Sequence, residues 1–173
     1  MQSARQAWPL EATAFCWRVP LRGLAFAAAI LACVPAAAQP GDALTGLWLT
    51  EPGDKGGRAH VQVTRRGDEY VGRIVWLEQP TFPSGLHQGQ PRIDLDNPDE
   101  ALRSRPVLGL EIVSGMTYEG DGRRRGGTIY DPANGKTYRA TMALDGAGDD
   151  TLDVRGFVGI PLFGRTTTWQ RVE

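Results

Sequence analysis

From residue 46 onward, apolar and polar residues alternate with a period of two in short runs, and clusters of Gly, Pro, Asn and Asp separate the runs. That is the pattern of half-buried strands joined by turns. It predicts eight strands, at residues 46–50, 58–65, 69–77, 107–113, 126–131, 136–144, 151–158 and 165–172. In the second, Val61 and Val63 alternate with Gln62 and Thr64; in the sixth, Tyr138, Ala140, Met142 and Leu144 share one face. The third is apolar on both faces, with Tyr70, Ile74 and Trp76 on one and Val71, Val75 and Leu77 on the other, so its outer side needs a cover. Eight sequential strands without a strong amphipathic helix predict an all-β domain. An antiparallel up-and-down closed barrel, or a strongly curved sheet, satisfies the count and avoids exposed edges.

One connection breaks the hairpin rhythm. Residues 78–105 open with Pro80, Pro83 and Gly85, turn polar from His87 to Arg92 and reach Asn97-Pro98-Asp99-Glu100. Asn97 as a cap, Pro98 at the first helical position and two acids at the positive end predict a short helix near 97–103. Pro106 pushes Arg105 towards extended geometry and ends it. A connection this long in a small domain is the expected cover for the third strand, or a functional lid.

The first 38 residues are set apart. Arg18 and Arg22 precede an apolar run from Gly23 to Val34, then Pro35 and Ala36-Ala37-Ala38. A basic flank, a short apolar core and a small-residue site read as a secretory signal cleaved near Ala38, giving an exported, periplasmic or secreted protein of residues 39–173. The run is too short for a stable membrane span. The alternative is a lipoprotein box at Ile30-Leu31-Ala32-Cys33, anchored through Cys33. Both cysteines, Cys16 and Cys33, fall in this leader, so disulfides, thiolate catalysis and cysteine-ligated metals are excluded from the remaining domain. Its length suits one core. Three of the 19 basic and one of the 20 acidic residues also belong to the leader, leaving 16 against 19 and a net charge near −3. That balance argues against a nucleic-acid partner. Arg123-Arg124-Arg125, the one basic run, lies among glycines and reads as an exposed hairpin loop.

The ends of the domain carry a recognisable pair. Gly46-x-Trp48 opens the first strand, and Trp169 and Arg171 share a face of the last. This resembles lipocalin-like barrels, in which such an indole packs across the barrel floor against an Arg of the final strand, a cation–π contact worth about 0.5 to 2 kcal/mol. More of the chain is similar to the secreted bacterial family known as domain of unknown function 2147. The matching blocks include Asp94-x-x-Asn97-Pro98, Arg103-x-Arg105-Pro106, Gly127-x-Ile129-Tyr130-Asp131-Pro132, Gly135-Lys136-x-Tyr138, Val154-Arg155-Gly156, Gly164-Arg165 and Trp169-x-Arg171. The resemblance implies an exported small β protein and transfers no catalytic role.

Candidate chemistry is sparse. His60 and His87 have no close second ligand, so no metal or cofactor is expected. Asp94, Asp96, Asn97 and Asp99 fit calcium on paper, with a helix cap as the simpler reading. Ser84, Ser104 and Ser114 lack the turn of a catalytic nucleophile. Arg105, Arg155 and Arg165 sit beside Pro or Gly, with Arg103 two positions before Arg105; with Asp94, Asn97, Tyr130 and Asp131 they form the candidate ligand site. Their guanidinium forks suit a carboxylate or phosphate, or else pair internally with Asp94, Asp131 and Asp153. Three functions remain open: a binding module for a small amphipathic or anionic ligand, an envelope interaction protein with a filled barrel, and a metal-independent enzyme using Asp, Tyr and Arg. A cavity above about 300 Å³ would favour binding. Large inward residues such as Tyr138, Met142 and Trp76 would favour filling, and a pocket Tyr or carboxylate held against Arg105 or Arg155 would favour catalysis.

Overall fold

The computed structural model describes residues 42–55, 57–118, 123–145 and 148–172. The expected signal segment, its cleavage near Ala38 and the alternative anchor at Cys33 lie outside them. Eight antiparallel strands follow one another around a closed barrel: β1 Gly46–Leu49, β2 Ala59–Arg66, β3 Glu69–Leu77, β4 Glu111–Tyr118, β5 Arg123–Asp131, β6 Lys136–Asp145, β7 Thr151–Phe157 and β8 Gly164–Arg171. Each strand pairs with the next, and β8 closes on β1 through Trp48 opposite Arg171 and Leu49 opposite Gln170. Closure gives every strand a neighbour on both sides, the β1–β8 seam being the shortest.

Alternation sets which face is buried. Ala140 and Met142 of β6 and Leu152 and Val154 of β7 are buried, while Arg139 is exposed and Thr141, Asp153 and Arg155 stand half-buried between them. Val61 and Val63 of β2 are fully buried. The outer wall is therefore polar along β6 and β7.

Several expectations are corrected. In β3 the register against β2 shifts between His60 and Val61, so that Ile74 opposes Val61 and Trp76 opposes His60. This bulge reverses the phase of the strand end. Ile74 stays buried, Leu77 turns to the core, and Trp76 is carried outside, 43% exposed, with its ring 4.5 Å from that of His60. β4 starts at Glu111 rather than at 107, because Gly109 takes a φ of 87° and Val107 to Leu110 form a tight turn closed by the Leu110 N–H on the Val107 carbonyl. Arg123–Arg125 belong to β5 and pair with β4 and β6, not to a loop. The short helix is a single 3-10 turn at Glu100–Leu102, capped by Asp99, whose side chain accepts from the Ala101 N–H.

The long connection does not cover the outer face of β3, where Val75 remains 45% exposed. It folds back on itself instead: the Arg92 N–H bonds the Pro80 carbonyl, the Val107 N–H bonds that of Arg92, and the Asp94 N–H bonds that of Arg105. Its apolar residues Ile93, Leu95 and Val107 turn to one open end of the barrel. The core fills the other end.

Candidate functional site

At the filled end Trp48 is completely buried and donates its Nε1–H to the Leu44 carbonyl at 3.0 Å. The Arg171 guanidinium lies 4.2 Å from the centre of the indole. It donates to the carbonyls of Asp149 at 2.8 Å, Thr45 at 3.1 Å and Ala43. Gly46 takes a φ of 142°, and a Cβ there would press on Arg171 Nη1 at 2.6 Å, so only glycine admits the cation over the ring. Leu152 and Trp169 oppose each other in β7 and β8 and are also buried.

The open end holds a cavity of about 620 Å³. Its deep wall is apolar, from Ile74, Ile112, Ile129, Val154 and Trp169, with Tyr138 half-buried beside them. Its rim comes from four connections: 50–58, the long connection, the β5–β6 turn at 132–134 and the β7–β8 loop. Two exposed ion pairs tie the first of these down, Lys55 to Asp96 and Arg165 to Asp54 at 2.8 Å. The bond to Asp54 holds the Arg165 guanidinium above its ordinary pKa.

Asp94 is the node that fixes the long connection to the barrel. Its carboxylate is fully buried and accepts three hydrogen bonds, from Tyr130 Oη at 2.6 Å, Asn97 Nδ2 at 2.8 Å and Arg105 Nε at 2.8 Å, and its ion pair with Arg105 brings Nη2 to 2.8 Å as well. Asn97 also donates to Tyr130 Oη at 3.0 Å, and Arg105 lies 5.5 Å from the centre of the Tyr130 ring. Burial, then the hydrogen bond to Asp94 and its charge, push the Tyr130 phenol up to about 12. That phenol keeps its proton beside a carboxylate also held by Asn97 and Arg105, and the cluster latches the long connection to the barrel. Beside it, the β5–β6 turn admits the connection: Gly135 takes a φ of 69°, and a Cβ there would collide with the Asp96 carbonyl.

The sequence-predicted site residues therefore separate. Asp94, Asn97, Arg105 and Tyr130 meet in the latch. Arg103 stands next to it, donating to the Asn97 carbonyl at 2.8 Å and pairing with Glu100. Asn97 does not cap the 3-10 turn. Asp131 closes the β5–β6 turn through the Ala133 N–H and Asn134. Asp153 accepts from Thr168 and, among the described residues, takes no Arg. Arg155 braces the β7–β8 loop, and Arg165 sits on the rim.

Arg92 was invisible to motif reasoning, since it stands alone in a Pro-rich connection. It lines the cavity, lies 5.8 Å from the centre of the Phe82 ring and donates to Gln79 at 3.1 Å. Among the described residues no carboxylate pairs with it, and its buried Nε lacks an acceptor. Also among the described residues, no group of three His, Cys, Asp or Glu could hold a metal ion, and no helix is long and apolar enough to cross a membrane.

Residues 46–171 match the family described as uncharacterized protein conserved in bacteria (DUF2147). Among solved structures the chain is similar to protein HP1028 of Helicobacter pylori, described as belonging to the lipocalin family. The two share 22% identity over 75% of this chain and 83% of that one, with a TM-score of 0.62. No curated protein matches the chain. At this identity the likeness concerns the fold, a lipocalin-like barrel.

Proposed function

Because the chain belongs to the DUF2147 family of bacterial proteins and folds as a lipocalin-like barrel, we propose that it is a binding module for a small amphipathic ligand with an anionic end. The observation that carries this reading is the cavity of about 620 Å³ with an apolar floor, inside the range of about 300 to 1,000 Å³ typical of small-molecule sites. The apolar part of the ligand lies against Ile74, Ile129 and Trp169. The anionic end meets Arg92, a rim cation without a carboxylate of its own, where a charge-assisted hydrogen bond forms at low desolvation cost.

A long-chain fluorescent fatty acid and its methyl ester test the reading. The acid binds the protein and the ester binds more weakly; Arg92→Gln abolishes the difference, a loss of about tenfold for the acid. Failure of both probes to bind would remove the reading and return the protein to the filled-barrel alternative. Met116, Met142 and Trp48 do fill the closed half of the barrel, but the open half is what sets this reading above it.

The same proposal places the protein outside the cytoplasm, in the periplasm or medium, supported by the basic flank, apolar run and small-residue site of residues 18–38. The intact mass of the exported protein tests it. A chain starting at Gln39 is the expected result, and one starting at a lipidated Cys33 would replace the soluble form with an anchored one.

A further inference from the structure

The loop between β7 and β8 reads Val-Gly-Ile-Pro-Leu-Phe from Val158 to Phe163, without one polar side chain. Four of the six residues are large, apolar and open to solvent: Val158 at 70%, Ile160 at 54%, and Leu162 and Phe163 at 75% each. Single exposed apolar residues are ordinary on soluble proteins. A run of them at one loop tip is a patch with a partner.

Part of the backbone of the tip is paired within the loop and by Arg155. Arg155 donates from Nε and Nη2 to the Pro161 carbonyl at 2.9 and 2.7 Å, and from Nη2 to the Leu162 carbonyl at 3.4 Å. The Phe163 N–H bonds the Ile160 carbonyl at 3.2 Å, and Pro161 has no N–H to satisfy. In hydrocarbon each unmet backbone group costs several kcal/mol, so these bonds lower the cost of placing the tip there. Arg155 has no carboxylate partner among the described residues. Its positive charge lies directly behind the apolar tip, the order of an interfacial anchor that sets apolar side chains among acyl chains and a cation among phosphates. A six-residue tip also offers far less area than a stable contact between two proteins requires. Val158 and Phe163 line the cavity as well as the tip, so a surface that takes the loop faces the mouth.

We propose that residues 158–163 dock the protein on an anionic lipid surface, with the barrel mouth turned towards the lipid. The docking requires the apolar tip and the charge behind it, and does not require an occupied cavity.

The test reads the loop itself, because the apolar segment at 23–34 is a second possible source of membrane affinity in the full chain. Leu162→Trp, mixed with vesicles containing an anionic phospholipid, shows a blue-shifted emission that brominated acyl chains quench. Neutral phosphatidylcholine vesicles produce less of both. The double variant Leu162→Asp with Phe163→Asp lowers the vesicle-bound fraction about tenfold or more, and its unchanged thermal midpoint shows that the barrel is intact. An unshifted, unquenched Trp at 162 together with equal binding of the double variant would overturn the proposal. So would a dimer in solution that the double variant converts to monomer, since the tip would then belong to a second copy.

Discussion

At the closed end of the barrel a buried indole, a guanidinium over its face and three backbone carbonyls satisfy one another. At the open end the strands are equally regular, but four connections of unequal length meet around empty space, pinned by exposed ion pairs and one buried carboxylate. The same strand alternation produces a core in one half and a container in the other. The difference comes from side-chain size and from connections: Trp48, Met116 and Met142 fill one half, whereas Gly156, Ala59 and Thr167 line the other and leave room.

This division is open to attack at both ends. Trp48→Ala has the largest expected effect, a destabilisation of about 3 to 5 kcal/mol from the cavity it leaves, read by denaturant unfolding. The folded fraction should bind ligand as before, and a loss of affinity at unchanged stability would erase the distinction between floor and mouth. Asp94→Ala follows, at about 3 kcal/mol, because it strands Tyr130, Asn97 and the Arg105 guanidinium together. Unlike Trp48→Ala, it should also free the long connection, which proteolysis within residues 78–105 would reveal.

Tyr130 supplies a smaller, pH-dependent effect. Its folded-state pKa of about 12 lies above the ordinary 10.0. The stability it contributes is therefore complete below pH 10 and is lost as the pH climbs through about 12. Thermal midpoints should fall across that window and fall less in Tyr130→Phe, while the phenolate absorbance of one tyrosine appears late. The smallest effect belongs to Arg165→Gln: its pair with Asp54 is exposed on both sides, and the thermal midpoint should not move. A clear shift there would mean that the rim is built as rigidly as the floor.

The barrel was legible because its strands obey a local rule. Val61 against Gln62, Met142 against Thr141 and Val154 against Asp153 announce an inner and an outer face wherever they occur in the chain. Where the rule failed, a single backbone event was responsible: the bulge opposite His60 sent Trp76 outside, and a left-handed Gly109 turned an apolar run into a loop end. The candidate site was legible only in part. Asp94, Asn97, Arg105 and Tyr130 stood out by residue type, yet up to 36 positions separate those that bond, and no spacing rule says which acid an arginine will meet. Arg92 carried no motif at all; its interest lies in having no carboxylate partner among the described residues, a property of the folded surroundings.

Period-two alternation, turn residues and the Gly46, Trp48 and Arg171 trio are local or terminal signals, written in residue order, and they suffice for eight strands wound into one barrel. Whether that barrel is solid or hollow, which cations remain unpaired and which apolar loop stays in water depend on contacts between residues far apart in the chain. Those contacts exist only once the strands have closed, because burial and charge pairing are properties of neighbours in space.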